Sequence, residues 1–138
     1  MAPEPILQLL DVELGYNRAA VIHGVSLQVE SGHKTALLGA NGAGKSTLLK
    51  GISGFLRCRK GSITFEGEDI SRLAPADIVK RGLVHVPEGR RVFPTMTVEE
   101  NLKVAGYLHR SKIAERMEGV LASFPSLTKR FKTNAGLL

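Results

Sequence analysis

Residues 39–47 read Gly-Ala-Asn-Gly-Ala-Gly-Lys-Ser-Thr, a spacing of glycines, a lysine and hydroxyls suited to holding phosphate. Gly39, Gly42 and Gly44 free the backbone to turn several N–H groups inward together. Those donors, with Asn41 and Ala43 in the same loop, cradle phosphate oxygens at the positive end of a following helix. Lys45 carries a full charge toward the β- and γ-phosphates, Ser46 offers an oxygen to Mg²⁺, and Thr47 supplies a second phosphate contact. A plain glycine turn between a strand and a helix would need no Lys-Ser-Thr at these positions. Other reactive side chains are sparse. His23, His33, His85 and His109 stand apart with no Cys or carboxylate at ligand spacing, which argues against a protein-only metal site. Cys58 is the single cysteine; Arg57, Arg59 and Lys60 around it could favour its thiolate, but a surface cysteine with no role is the plainer reading.

A phosphate loop needs a strand to deliver it and a helix to receive it. Residues 34–38, Lys-Thr-Ala-Leu-Leu, read as a buried strand, and residues 46–50 as the first turns of a helix. Upstream, Val25, Leu27 and Val29 alternate with polar residues at the period of a half-buried strand. Leu7, Leu9, Val12, Leu14 and Tyr16 alternate likewise, with a register change at Leu10 and Asp11; both segments read as antiparallel strands. Ile63 to Phe65 is a short strand ended by Glu66 and Gly67. Residues 75–81 form a short helix with Pro75 at its start and Gly82 as its stop. Residues 83–86 read as a second buried strand closed by Pro87. After a charged loop, Thr97 and Glu100 make a capping box that opens a helix over 98–109. A further helix over 112–124 lines up Ile113, Met117, Val120, Leu121 and Phe124 on one face, the pattern of core packing, and Pro125 ends it. Residues 129–132 read as a basic, solvated helix end.

The 138 residues fit one domain with a sizeable core, and 43% hydrophobic with 23% charged residues is ordinary for a globular protein. The opening residues lack the basic n-region of a secretory signal, and no apolar run approaches the roughly 20 residues of a membrane span. A lone cysteine fits a reducing compartment. The net charge of +6 raises a nucleic-acid or membrane-surface partner, but the cations are scattered without aromatic interleaving, so no nucleic acid is expected.

The order of features resembles the nucleotide-binding subunit of an ABC transporter: Tyr16, the 39–47 loop, residues 84–87, then Thr-Val-Glu-Glu-Asn-Leu at 97–102. Residues 86–102, with Pro-Glu-Gly-Arg-Arg at 87–91, resemble specifically the LivF-type ATPase of branched-chain amino acid importers. The resemblance implies MgATP binding at the interface of two such subunits, hydrolysis coupled to amino acid import, and a peripheral place on the cytoplasmic face of the membrane. It puts Tyr16 where the family stacks an aromatic on adenine, although the same ring at a strand end also suits a core position. It makes Lys45 and Glu88 the catalytic pair and Ser46 and Glu88 the Mg²⁺ ligands. Glu88 departs from the glutamine most of the family carries, and a solvated loop carboxylate is its plainer reading. Arg90 and Arg91 take the place of contacts to the permease subunits through the 88–91 loop, or are simply solvated.

The implied fold is an α/β P-loop NTPase of ABC ATPase type, with an N-terminal antiparallel β-subdomain and the start of a helical subdomain. Its expected parts are 1–87 (β-subdomain plus P-loop core), 88–96 (the Q-loop equivalent) and 97–138. The family's Leu-Ser-Gly-Gly signature would begin about where the sequence ends at Leu138. The later acidic strand and switch histidine are not present either. The chain is therefore expected to be a truncated portion, inactive in hydrolysis by itself. A GTPase, a small-molecule kinase, a non-hydrolysing regulatory nucleotide binder, or an ABC ATPase serving another small polar substrate are the competing readings.

Overall fold

The computed structural model describes residues 5–89 and 91–138, and the chain divides into two compact units, Met1–Val86 and Pro87–Leu138. Arg90, one of the two arginines singled out above, lies outside the described residues.

The first unit is built on a four-stranded antiparallel sheet in the order β2-β1-β3-β4. Strand β1 (Pro5–Tyr16) pairs with β2 (Ala19–Glu30) on one side and with β3 (Lys60–Phe65) on the other. Alternation in β1 places Leu9, Val12 and Leu14 inside, each with no exposed surface. The step from Leu9 to Val12 requires an extra residue, and the register breaks there, with Asp11 at φ 47° and its N–H bonded to Ser26 Oγ at 2.9 Å. Strand β2 shows the expected pattern: Val25, Leu27 and Val29 are half-buried between exposed neighbours. Strand β3 turns into the two-residue β4 (Glu68–Asp69) through Glu66 and Gly67, both at positive φ, as a two-residue hairpin demands.

Helix α1 (Lys45–Ile52) lays Leu48 and Ile52 on the sheet, where they join Leu9, Val12, Leu14, Ile22, Ile63, Ile70 and Ile78 in one core. Ile78 comes from α2 (Pro75–Lys80), which has proline in its first turn and is followed by Gly82 at φ 97°.

Two expected strands do not form. Residues 34–38 carry no strand pairing; Leu37 is 44% and Leu38 89% exposed. Residues 83–86 are unpaired as well, with Val84 67% and Val86 85% exposed, while Leu83 and His85 are half-buried. The cause is the ladder. Among the described residues all paired strands belong to the antiparallel sheet, and an apolar run without a hydrogen-bonding neighbour is not a strand.

The second unit is helical. Helix α3 (Val98–Ala105) opens on the expected capping box: Thr97 Oγ1 accepts from the Glu100 N–H at 3.2 Å, and Glu100 Oε2 accepts from the Thr97 N–H at 2.8 Å. The first-turn N–H groups of Val98 and Glu99 donate to the carbonyls of Thr133 and Phe131, because the closing segment folds back beside residues 94–99. The helix ends at Ala105, earlier than expected. Gly106 follows it, a Cβ there would come 2.8 Å from Ile113, and the chain tightens into a 3₁₀ segment, Tyr107–Lys112, broken at His109. Helix α4 (Ile113–Ser123) packs against that segment and against the short α5 (Pro125–Thr128). Its apolar stripe is not core, contrary to the sequence reading: Ile113, Met117, Val120 and Leu121 are only half-buried, and Phe124 is 60% exposed. Two short elements cannot cover a helix face of that width.

Candidate functional site

The 39–47 loop lies between the unpaired 34–38 segment and α1, and α1 starts at Lys45 with Gly44 as its N-cap. Gly42 (φ 84°) and Gly44 (φ 96°) both occupy the left-handed region. Gly44 also has a close neighbour: a Cβ would sit 2.6 Å from Ile22 Cδ1, so the end of that side chain would have to shift. No side chain caps the helix start and no acidic residue stands in its first turn. The first-turn N–H groups and the positive end of the helix dipole therefore face outward unopposed by any carboxylate of that turn. Lys45 Nζ donates to the carbonyls of Gly39 at 2.6 Å and Ala40 at 2.8 Å, which holds the ammonium over the loop. Ala43 N–H closes a turn onto the Ala40 carbonyl at 3.1 Å. Asn41 and Ser46 are exposed, and Thr47 is buried.

Tyr16 ends β1 beside this helix. It is 42% exposed, which removes the core-aromatic alternative. Its hydroxyl accepts from Lys50 Nζ at 3.3 Å, and the same ammonium lies 5.6 Å from the ring centroid. Hydrogen bonding by Thr47, then by Lys50, pulls the phenol below its ordinary pKa. Thr47 and Lys50 are three residues apart on α1 and so share the face that meets Tyr16. The structure thus joins Tyr16 to the phosphate loop through two α1 side chains. Lys50 had no role in the sequence reading, although its spacing from Thr47 was there to be used.

Glu88 belongs to the second unit, in an exposed loop where its carbonyl accepts from Arg91 Nε at 3.3 Å. That loop is followed by a segment anchored by Asn101, which sequence reasoning also missed. Cys58 is partly buried; burial pushes the thiol up, away from thiolate character, and Sγ donates to the Lys60 carbonyl at 2.9 Å.

The family model described as ABC transporter matches residues 22–135. The chain is 41% identical over 124 residues to the high-affinity branched-chain amino acid transport ATP-binding protein BraG of Pseudomonas aeruginosa, covering 89% of this chain and 53% of that protein. It is 34% identical over 134 residues to the probable branched-chain amino acid transport ATP-binding protein LivF of Archaeoglobus fulgidus, covering 96% and 57%. A crystal structure of an ATP-binding cassette of an ABC transporter in its ADP conformation superposes with a TM-score of 0.83 at 28% identity, over 98% of this chain and 59% of that one. A nucleotide-free cassette gives 0.80 at the same identity and coverage. The chain spans little more than half the length of these two amino acid transport relatives.

Proposed function

Because this chain belongs to the ABC transporter family, we propose that it carries the adenine- and phosphate-binding part of an ATP-binding subunit that drives import of branched-chain amino acids. The observation that carries the reading is the loop itself: left-handed glycines, an uncapped helix start free of acidic residues, and Lys45 held over the loop carbonyls. In this reading the loop N–H groups and Lys45 bind the β- and γ-phosphates, and the ring of Tyr16 stacks on adenine. The exposed Ser46 hydroxyl is a hard oxygen of the kind Mg²⁺ takes, and the Glu88 carboxylate is the second ligand of this reading. When bound, the ion neutralises charge that develops on the transferring phosphate. The chain's own share is positioning and electrostatic stabilisation rather than covalent chemistry.

The proposed organisation keeps 1–87 as β-subdomain and phosphate core, 88–96 as the Q-loop equivalent and 97–138 as the start of a helical subdomain. The proposed partners are a second ATPase subunit and permease subunits met through residues 88–91. The chain's proposed place is peripheral, on the cytoplasmic face of the membrane; among the described residues no helix is long and apolar enough to cross a membrane. Relatives that include ribose import ATP-binding proteins keep a different small polar substrate as the competing reading.

Calorimetric titration of MgATP into the complete gene product tests the site. Lys45→Ala removes a charge-assisted contact of about 1.5–3 kcal/mol, so binding should weaken roughly ten- to a hundredfold. Unchanged affinity would overturn the assignment.

A further inference from the structure

Ser53 follows the last turn of α1 as its C-cap and is 5% exposed. Its hydroxyl donates to the Leu49 carbonyl at 2.6 Å and lies 3.0 Å from Nδ1 of His85. A serine hydroxyl has one proton to give. With that proton committed to Leu49, Ser53 Oγ is the acceptor toward His85, and Nδ1 carries the hydrogen. Phe55 sets its ring edgewise against the imidazole, with centroids 6.2 Å apart and planes at 65°. The imidazole is thus held in one orientation by a hydrogen bond and an aromatic neighbour.

What His85 holds is the segment 83–86, which has no strand partner among the described residues. Backbone pairing does not fix it, so side-chain contacts must. That segment leads within three residues to Glu88. At its other end the tie meets α1, eight residues and about 12 Å long, whose first turn is the phosphate loop's helix start.

We propose that His85 is a positioning residue: its Nδ1–H bond to Ser53 fastens the segment before Glu88 to the far end of the phosphate-binding helix. The tie lies wholly within the first unit, between the end of α1 and the segment from which the chain runs on to Glu88. The proposal rests on the nucleotide reading of residues 39–47 and on Glu88 as a metal ligand.

The test uses the complete gene product with four variants: His85→Ala, His85→Asn, Ser53→Ala and the Ser53→Ala/His85→Ala pair. Asparagine keeps an N–H donor at the same distance from Cβ as Nδ1. His85→Ala should lower kcat for MgATP hydrolysis at least fivefold with KM changed less than twofold, and His85→Asn should restore at least half of the loss. Ser53→Ala should match His85→Ala, and the pair should be no worse than either alone. A fall in thermal stability with kcat unchanged, or equal loss in the Ala and Asn variants, would overturn the proposal. Should the variants not fold, ring ¹⁵N shifts of His85 in the unaltered protein decide it. An Nδ1–H tautomer supports the tie and an Nε2–H tautomer overturns it. A Lys45→Ala control separates the two levels of argument. Hydrolysis independent of Lys45 would remove the nucleotide reading itself, and with it the proposed role of His85, whatever the ring tautomer.

Discussion

Asn101 and Phe93 exchange a reciprocal pair of hydrogen bonds: Asn101 Oδ1 accepts the Phe93 N–H at 2.8 Å, and Nδ2 donates to the Phe93 carbonyl at 3.0 Å. The same Nδ2 donates to the Thr97 carbonyl at 2.9 Å, so one amide gathers the loop that precedes α3. Asn101→Ala should destabilise the second unit by about 1–3 kcal/mol. Asn101→Asp should be no better, because it keeps the acceptor but turns both donors into acceptors facing carbonyls. Denaturant unfolding of the two variants checks this; a neutral Asn101→Asp would contradict the donor role.

Gly42 and Gly44 separate backbone strain from crowding. Gly42→Ala meets open space and should cost only the left-handed penalty of about 1–2 kcal/mol. Gly44→Ala carries that penalty and also pushes the end of Ile22 off its rotamer, adding about 0.5–1.5 kcal/mol. Thermal melts should rank Gly44→Ala well below Gly42→Ala, and Ile22→Val should recover part of the difference in the Gly44→Ala background.

Tyr16→Phe keeps the ring and loses the Lys50 bond, whereas Tyr16→Ala loses both. Nucleotide binding should survive the first change and weaken with the second, because stacking uses the ring face. Spectrophotometric titration should find tyrosinate in the parent below the usual tyrosine range, and Lys50→Met should move that transition upward. Equal loss of affinity in the Phe and Ala variants would indicate recognition by the hydroxyl instead.

Glu99 lies between Lys103, at 2.7 Å, and Lys132, and hydrogen bonds from both, Lys103 first, hold its carboxyl below the ordinary carboxylate range. A depressed folded pKa means stabilisation present above the unfolded value and lost as pH falls through the folded one. Acid unfolding of the parent should therefore show a loss that Glu99→Gln lacks, while the two should diverge most at neutral pH. Added salt should narrow the gap.

Leu38 and Val86 are the most exposed apolar side chains of the two unpaired segments. Expressed as residues 1–138 alone, the chain should bind an apolar dye and self-associate at micromolar concentration. Leu38→Lys with Val86→Lys should suppress both effects without altering the melting of the antiparallel sheet. Light scattering and dye fluorescence provide the readouts.

The local signals were legible where the answer lay within a few residues. Thr97 and Glu100 announced α3, Pro75 and Gly82 bracketed α2, and the break at Leu10 and Asp11 located the bulge. The failures share one cause, since an apolar run does not say what covers it. Residues 34–38 and 83–86 have strand composition without a ladder, and the Ile113 stripe has helix periodicity without an opposing layer. Within the candidate loop Gly42 and Gly44 were legible because a left-handed backbone favours glycine there. Lys50, Ser53 and His85 were not, because their roles depend on partners up to 34 residues away.

The turn at Glu66 and Gly67 gives the molecule a neutral handle. Both residues are exposed, the turn joins β3 to the two-residue β4, and no atom lies within 4 Å of a Cβ built on Gly67. A fluorophore or short epitope spliced into this hairpin tip would extend from the sheet without entering the core or the phosphate loop. The same splice at residues 39–47 would abolish the site, so the pair of insertions offers a matched reporter and its built-in negative control.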